Sequence, residues 1–295
     1  KALQRMRYVT IQFSKVFRQQ DEQFLHILNS IRENKYSSEL LRQLNQRYNP
    51  SVDSAAGDAI RLTTHNHQSD TINAKRLREL VSKQYAFDAE IIGDFPESMY
   101  PAERTLCLKE GARAMFVKND ISLDRNYYNG KLATVSRIDG DDQITVVDDD
   151  GAEIEVHPAT WENIKYELDS SDGQITQVVA GTFEQIPLRL AWAVTIHKAQ
   201  GLTFDKVIVD AAAAFAYGQV YVALSRCRTL QGLYLTSPIS ENCLRHDAHV
   251  DSFDTALATQ SDLHQHLEVS RRDYFLKLYI EVFSFGQLRD LFAKI

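Results

Sequence analysis

The amino-acid sequence predicts an α/β fold in which a parallel sheet is interrupted by a block of antiparallel strands. Short apolar strands alternate with helix-patterned segments before residue 90 and again near residue 200, which is typical of the strand–helix units of parallel sheets. From Thr105 the pattern changes to short strands of alternating apolar and polar residues, separated by acidic turns, as in antiparallel hairpins.

The composition is that of a globular protein, with 44% hydrophobic residues and only 12 Gly and 6 Pro in 295 residues. The three cysteines are odd in number and widely spaced, which argues against disulfides or a zinc site and fits a reducing cytoplasm. The histidine pairs lack the partners that would complete tetrahedral spacing, so no metal site is predicted. No apolar run approaches the roughly 18 residues of a membrane span, and no membrane association is expected.

The net charge of −7 argues against a uniformly basic nucleic-acid surface, but the charge is unevenly distributed. Residues 1–48 hold nine Lys/Arg and four Asp/Glu, whereas residues 139–155 hold eight Asp/Glu and no Lys/Arg. One acidic segment supplies much of the imbalance. A protein that holds single strands by stacking and narrow grooves therefore remains compatible with the composition.

The first part of the chain predicts helices and one strand. Asp21 is a competent N-cap for a helix over 21–34, and Ser37 or Ser38 can cap a second helix over 37–48. Residues 59–64 then predict a strand, followed by a loop and an amphipathic helix; the loop is HNHQSD, 65–70, and the helix TINAKRLRELVSK, 71–83.

The antiparallel block begins with two strands around Gly111. Three further strands with acidic turns predict a small barrel or meander inserted between Asn129 and Pro187. Beyond it the sequence predicts a helix, a strand, a helix and a strand, namely AWAVTIHKAQ stopped at Gly201, KVIVD, YGQVYVALSRC and GLYLTS. The last 25 residues predict two helices broken near Gly286.

Two long strings carry the functional information, TIHKAQGLTFD at 195–205 and QVYVALSRCRT at 219–229. Together they resemble motifs V and VI of superfamily 1 DNA helicases of the Pif-type and RecD-like branch. The string FSKVFRQQD at 13–21 resembles motif IV of the same family, and recognisable motifs cover residues 9–240.

The resemblance implies a RecA-like second motor domain in two parts, 1–128 and 188–240, with a small β-barrel inserted at 129–187 and a helical tail at 241–295. It also implies that Arg18 and Arg226 reach the γ-phosphate of ATP as catalytic residues. A guanidinium suits that role because its planar fork of donors matches phosphate oxygens and stays charged. The residues implied on the nucleotide side are Gln200, Gly201, Thr203, Gln219 and Tyr221.

Single-stranded DNA is the second implied partner. The segment LTTHNHQSDTIN resembles the family's DNA-backbone segment and implicates Thr64, His65 and Asn66, and the start of motif V implicates Thr195, His197 and Lys198. The adjacent Tyr127 and Tyr128 have two readings of equal weight, because they can stack on bases or cover the barrel.

The sequence contains no GxxxxGK[ST] phosphate loop, which in this family belongs to the first RecA-like domain. ATP and Mg²⁺ are therefore expected to be held mainly by an N-terminal RecA-like domain of the same protein, encoded upstream of Lys1. The resemblance implies the C-terminal motor domain of a 5′-to-3′ ATP-dependent DNA helicase, inactive as this fragment alone. The alternative is a non-catalytic module that keeps the fold to bind single strands or a partner protein.

Overall fold

A computed structural model describes residues 15–52, 57, 59–140, 143–168, 175–212, 218–244, 247, 249, 250, 252, 263–285 and 292. The chain forms two compact units, Phe17–Arg245 and a second unit made of Lys1–Val16 with His246–Ile295. The larger unit contains all four sheets of the described residues and every residue of the candidate site.

The helices and strands are numbered here in chain order. The α-helices are α1 Glu22–Arg32, α2 Ser38–Asn45, α3 Asn66–Glu79, α4 Gln219–Leu224 and α5 Leu263–Val282. The strands are β1 Ile60–Thr63, β2 Gln84–Asp88, β3 Glu90–Gly93, β4 Thr105–Lys109, β5 Arg113–Phe116, β6 Leu132–Ile138, β7 Ile144–Asp148, β8 Glu153–Val156, β9 Ala159–Leu168, β10 Ile175–Gln185, β11 Leu188–Leu190, β12 Ala193–Thr195, β13 Val207–Val209 and β14 Leu233–Leu235.

Four strands form the parallel sheet, in the order β12-β1-β13-β14. β12 and β13 are buried throughout, as expected of strands covered on both faces. The predicted α/β architecture with a parallel sheet is confirmed, and the predicted strands KVIVD and GLYLTS form β13 and β14.

Helices α1 and α2 pack on the parallel sheet and are confirmed as predicted. The Asp21 carboxylate accepts a hydrogen bond from Phe24 N at 3.0 Å, and Ser37 Oγ accepts one from Leu40 N at 3.3 Å, so both helices begin with a side-chain cap. Their apolar faces belong to the same core as the strands; the buried residues are Phe24, Ile27, Leu28, Ile31, Leu40, Leu41 and Leu44.

The predicted loop at 65–70 is wrong, because α3 begins at Asn66. The sequence hides this helix start, since the first two turns contain polar residues and the buried face of the helix is itself partly polar. Ser69 and Asn73 are buried together with Leu77. Their polar groups bond to backbone, which allows a polar face to be buried.

The predicted helix AWAVTIHKAQ is also wrong, because residues 193–195 form the edge strand β12 and residues 196–201 form a turn. Its residues pair with β1 in parallel register, Arg61 with Ala193 and Thr63 with Thr195. The β-branched run of Val, Thr and Ile favours a strand once a neighbouring strand is available. Tertiary pairing therefore overrides the helical spacing that the sequence presents.

The antiparallel part begins before the predicted 129–187 insertion, as expected from the strand pattern around Gly111, and it also includes β11 after that range. A five-stranded sheet has the order β11-β5-β6-β7-β8, so β5 and β11 on either side of that range take part in it. A three-stranded sheet, β3-β10-β9, and the pair β2-β4 complete this region. The five-stranded sheet and the β2-β4 pair share one apolar core around Leu106, Leu108, Phe116, Val146 and Leu188. The proposed division into domains remains a prediction.

In the C-terminal unit, α5 spans Leu263–Val282. The predicted break near Gly286 and the second helix lie outside the described residues. None of the helices in the described ranges has the length and apolarity needed to cross a membrane.

The buried side chain of Asn73 joins α3 to the end of the antiparallel sheet. Its Nδ2 donates to Ala193 O at 2.9 Å and to Leu190 O at 3.3 Å, and its Oδ1 accepts from Ala193 N at 2.8 Å. We predict that Asn73→Ala lowers the free energy of unfolding by about 2–3 kcal/mol, because buried backbone groups lose their partner. Urea denaturation measures this. Lys75→Ala, two positions along the same helix and exposed, should change it by less than about 0.5 kcal/mol.

Candidate functional site

The predicted DNA-contacting residues follow two paired strands at one edge of the parallel sheet. β1 ends at Thr63 and β12 ends at Thr195, and these two residues are register partners. Ile196 N donates to Thr63 O at 2.9 Å, which continues the pairing past the strand ends. The segments 64–66 and 196–198 therefore lie side by side, at the carboxyl end of the strands where open α/β sheets bind ligands.

Within this group, the two threonines are buried and the other four residues are exposed. Thr64 Oγ1 lies 2.9 Å from His65 Nδ1, and Thr195 Oγ1 accepts from Lys198 N at 3.3 Å. These hydroxyls shape the two loops. The side chains presented to solvent are those of His65, Asn66, His197 and Lys198.

Residues 196–203 form a tight turn that leads from the DNA-side group to the nucleotide-side group. Ala199 N donates to Thr195 O at 3.0 Å, and Ile196 and Ala199 are buried in the core of the parallel sheet. Gly201 has φ +83°, a left-handed conformation that residues with a side chain rarely adopt. Gln200 and Gly201 are exposed on the outer side of this turn.

Two arginines meet at the far end of the turn. Arg18 Nε donates to Thr203 Oγ1 at 2.8 Å, and its Nη1 donates to Ser225 O at 3.0 Å. Arg226 Nη2 donates to Ser225 Oγ at 3.0 Å and its Nε to Val222 O at 3.0 Å. The structure thus brings together Arg18, Thr203 and Arg226, which the sequence places far apart.

The electrostatic environment of this pair favours an anion. Partial burial lowers the pKa of both guanidinium groups, and the proximity of Arg18 lowers the pKa of Arg226 further. Half-buried Tyr221 acts in the opposite direction on both pKa values. Because arginine stays protonated even so, two positive charges remain close together with reduced solvation. A bound phosphate would offset both the repulsion between the two guanidinium groups and their reduced solvation.

Backbone bonds fix the segment that contains Thr203 to the segment that contains Arg226. Phe204 N donates to Arg226 O at 3.0 Å, and Arg228 N donates to Phe204 O at 3.0 Å. Both segments precede strands, since residue 204 comes before β13 and residue 226 comes before β14. The nucleotide-side group therefore lies at the amino ends of the strands, whereas the DNA-side group lies at the carboxyl ends.

Gln19 is a structural member of the site that the sequence did not reveal. It is buried, and its Nε2 donates to Ser225 O at 2.9 Å and to Cys227 O at 3.0 Å. Its position directly after Arg18 was the available signal, but a glutamine in a polar segment does not indicate burial. Gln219, the first residue of α4, is also buried, and Tyr221 in the same helix is half-buried.

Tyr127 and Tyr128 lie in different environments, one packed on the antiparallel core and the other exposed. Tyr127 stacks on Phe116 with ring centroids 4.1 Å apart and packs on the antiparallel core. Tyr128 is 62% exposed. Only Tyr128 is therefore presented for stacking on a base.

Across the residues that the structure describes, no group of three or more His, Cys, Asp and Glu is arranged to hold a metal ion. The donors present in the arginine cluster are guanidinium, hydroxyl and phenol groups. These suit the oxygen atoms of a phosphate rather than a cation.

Comparisons with known proteins place these features in one family. Residues 190–234 match the family model of the UvrD-like helicase C-terminal domain. The chain is 34% identical over 245 residues to human ATP-dependent DNA helicase PIF1, covering 80% of this chain and 36% of that protein.

Solved structures agree with the sequence comparison. Pif1 from Bacteroides sp in complex with ADP-AlF4 superposes with a TM-score of 0.75 at 38% identity, covering 83% of this chain and 56% of that one. Bacteroides Pif1 bound to ssDNA superposes with a TM-score of 0.63 at 38% identity, over 82% and 55% of the two chains. The chain thus spans between about a third and about half of the length of these relatives.

These matches support a C-terminal domain of the superfamily 1 helicase type. Within that superfamily, the chain is similar to helicases of the Pif1 type.

The thiol of Cys227, next to the catalytic arginine candidate, reports on the integrity of this site. Burial raises its pKa to about 11. The thiol stays neutral in the folded protein, so its contribution to stability is present below about pH 9 and is lost as the pH rises towards 11. We predict that iodoacetamide at pH 8.5 alkylates Cys107 and Cys243, both partly exposed, but modifies Cys227 only after denaturation.

The variant Gln19→Ala removes the donor to the Cys227 carbonyl and should accelerate Cys227 labelling by at least several-fold. Gln20→Ala, at the adjacent exposed position, is the matched control and should leave the rate unchanged. Peptide mass spectrometry measures both rates. Equal labelling of all three cysteines in the folded wild type would contradict the burial of this segment.

Proposed function

We propose that this chain is the C-terminal motor domain of an ATP-dependent DNA helicase that translocates 5′ to 3′ on single-stranded DNA. The observation that carries the proposal is that Arg18 and Arg226 both bond to Ser225, while Arg18 also bonds to Thr203. The turn of residues 196–203 ends at Thr203. Near its beginning, His197 and Lys198 lie beside the carboxyl end of β1. One short segment therefore connects the proposed phosphate site at the arginines to the proposed DNA site at the carboxyl ends of β1 and β12.

The arginine pair is proposed to act on the γ-phosphate of ATP. Charge shifts among the phosphoryl oxygens in the transition state, and positioned guanidinium groups stabilise that charge. Arg226 is held by carbonyl and hydroxyl oxygens, and Arg18 is oriented by Thr203, so both are directed before any ligand binds. The relative whose structure contains ADP-AlF4 supports nucleotide use.

ATP and Mg²⁺ are proposed to be held mainly by an N-terminal RecA-like domain of the same protein. The chain has no phosphate loop, and the fraction of the relatives that it spans leaves room for such a domain. In the intact enzyme, ATP would lie between the two domains, and closure would bring Arg18 and Arg226 to the triphosphate.

Single-stranded DNA is proposed to bind at the beginning of the 196–203 turn. Lys198 and His65 offer cationic or polar donors at the strand ends, and Asn66 can reach a backbone oxygen. The relative bound to ssDNA supports this assignment. Closure around ATP would move residues 196–198 with Thr203, because Ile196 and Ala199 anchor the turn in the core.

For the nucleotide site, we predict that Arg226→Ala lowers DNA-stimulated ATP hydrolysis of the intact enzyme by about 10³-fold or more, in the range of an arginine finger. Arg18→Ala should lower it strongly as well. Steady-state phosphate release in the presence of oligo-dT measures the effect.

The matched control is Arg228→Ala, two positions further on, whose side chain is exposed and pairs with Asp205. It should keep nearly full activity. The 295-residue chain by itself should show no appreciable hydrolysis. DNA-stimulated hydrolysis by that chain, abolished by Arg226→Ala, would contradict the proposed division of labour.

For the DNA site, we predict that Lys198→Ala, His197→Ala and Asn66→Ala each weaken binding of single-stranded DNA, with Lys198→Ala costing roughly tenfold. Fluorescence anisotropy with a labelled oligonucleotide measures affinity. Lys206→Ala is the matched control, because Lys206 is exposed at the opposite end of the same sheet. Unchanged affinity in all three variants would remove the DNA assignment.

A further inference from the structure

We propose that Arg189 binds a backbone phosphate of the single strand, inside a cavity between α3 and the antiparallel region. The inference rests on the proposed function, because it extends the DNA site from Lys198 and Asn66 to a residue outside the strings that resemble motifs IV, V and VI. The cavity measures about 610 Å³, within the size range of small-ligand pockets, and both Lys198 and Asn66 line it together with Arg189.

The strand alternation of β11 directs Arg189 into this cavity. Leu188 and Leu190, on either side of it, pack in the antiparallel core. Successive side chains of a strand point to opposite faces, so Arg189 points away from that core. Its register partner Met115 is buried in the core of the parallel sheet, which places both side chains on the side facing that sheet.

The position of Arg189 relative to Lys198 is fixed by the backbone. Asn73 bonds to the carbonyls of Leu190 and Ala193 and to the amide of Ala193, which are the residues between the end of β11 and the start of β12. Lys198 follows β12 within the turn anchored on Thr195. The two cations are thus carried by rigid segments rather than by free loops.

The charges in the cavity leave the donors of Arg189 available. Desolvation lowers the pKa of Arg189, and the carboxylates of Glu103 and Asp70 oppose that shift. Desolvation also lowers the pKa of Lys198, and the charge of Arg189 adds to that effect, so the two cations sense each other. Nevertheless, among the described residues neither side chain makes an ion pair or a side-chain hydrogen bond. Each is compensated at a distance and remains free to donate to a ligand.

This arrangement selects an anion that is already bound nearby. The carboxylates of Glu103 and Asp70 balance the two cations, which makes the cavity unattractive to a free small anion. A phosphodiester of a strand held at Lys198 and Asn66 enters at high effective concentration and meets a partly desolvated guanidinium. A single strand is therefore a better occupant than a free phosphate or nucleotide.

The test is the salt dependence of oligo-dT binding, measured by fluorescence anisotropy between low and moderate salt. Each lost phosphate contact lowers the slope of log K against log salt by about 0.7 for single strands. Arg189→Gln should reduce the slope by about this amount and weaken binding roughly tenfold at low salt. Arg189→Lys should retain most of the slope. Arg137→Gln, an exposed arginine of the antiparallel region paired with Asp139, should retain all of it.

A second variant changes the charge of the cavity without removing the arginine. Glu103→Gln deletes the carboxylate that competes with phosphate for Arg189, so it should tighten binding by several-fold at low salt and less at high salt. This readout decides the question even if Arg189→Gln fails to fold, because Glu103 is exposed and lies outside the core. Weaker or unchanged binding by Glu103→Gln would count against the proposal.

The measurements distinguish a failure of the proposed Arg189 contact from a failure of the proposed function. If the wild type binds DNA and Lys198→Ala weakens it, while Arg189→Gln keeps the wild-type slope, Arg189 is not a phosphate ligand and the proposed function stands. If the wild type does not bind single strands at all, the proposed function fails and this inference fails with it.

Discussion

The hydrogen bonds of Arg18 and Gln19 hold together the part of the molecule on which the proposed nucleotide response depends. Arg18 contacts Thr203 and Ser225, which lie 185 and 207 positions further along the chain, and Gln19 contacts the carbonyls of residues 225 and 227. These bonds tie the segment before α1 to the end of α4. They bring the Arg18 guanidinium into the same cluster as that of Arg226, which also bonds to Ser225.

The turn of residues 196–203 connects the arginine cluster to the DNA-side residues. It runs from the carboxyl end of β12 to the amino end of β13, so it touches both ends of the sheet. Its buried residues, Ile196 and Ala199, are packed in the core, while His197 and Lys198 are exposed on the proposed DNA side. In the proposed mechanism, a displacement of Thr203 on nucleotide binding would move the DNA-side residues through this turn.

The antiparallel region is tied to the same turn by a close contact. A Cβ on Gly130, which has φ +97°, would lie 2.3 Å from Leu202 Cδ2. The positive φ favours glycine at this position, and the close approach places the loop before β6 directly against the residue next to Thr203. Together with the Asn73 clamp, the contact joins the antiparallel region to both the nucleotide-side and the DNA-side segments.

Local sequence signals settled several elements and misassigned others for identifiable reasons. The caps at Asp21 and Ser37 and the apolar faces behind them were sufficient for α1 and α2. The start of α3 was missed because its buried face is polar, with Ser69 and Asn73 bonded to backbone groups that only the fold supplies. The helix assigned to 191–200 was wrong because pairing with β1 outweighs spacing along the chain.

The sequence by itself determined the α/β class, the family resemblance and the identities of the candidate residues, because periodicity, turn chemistry and long motifs are written locally. Only the tertiary structure decided that Arg18, Thr203 and Arg226 lie in one cluster, that Thr64 and Thr195 are buried, and that Arg189 lines a charged cavity. Each of these depends on strand order and register, which bring together residues more than a hundred positions apart. Spacing along a chain carries no record of such distances.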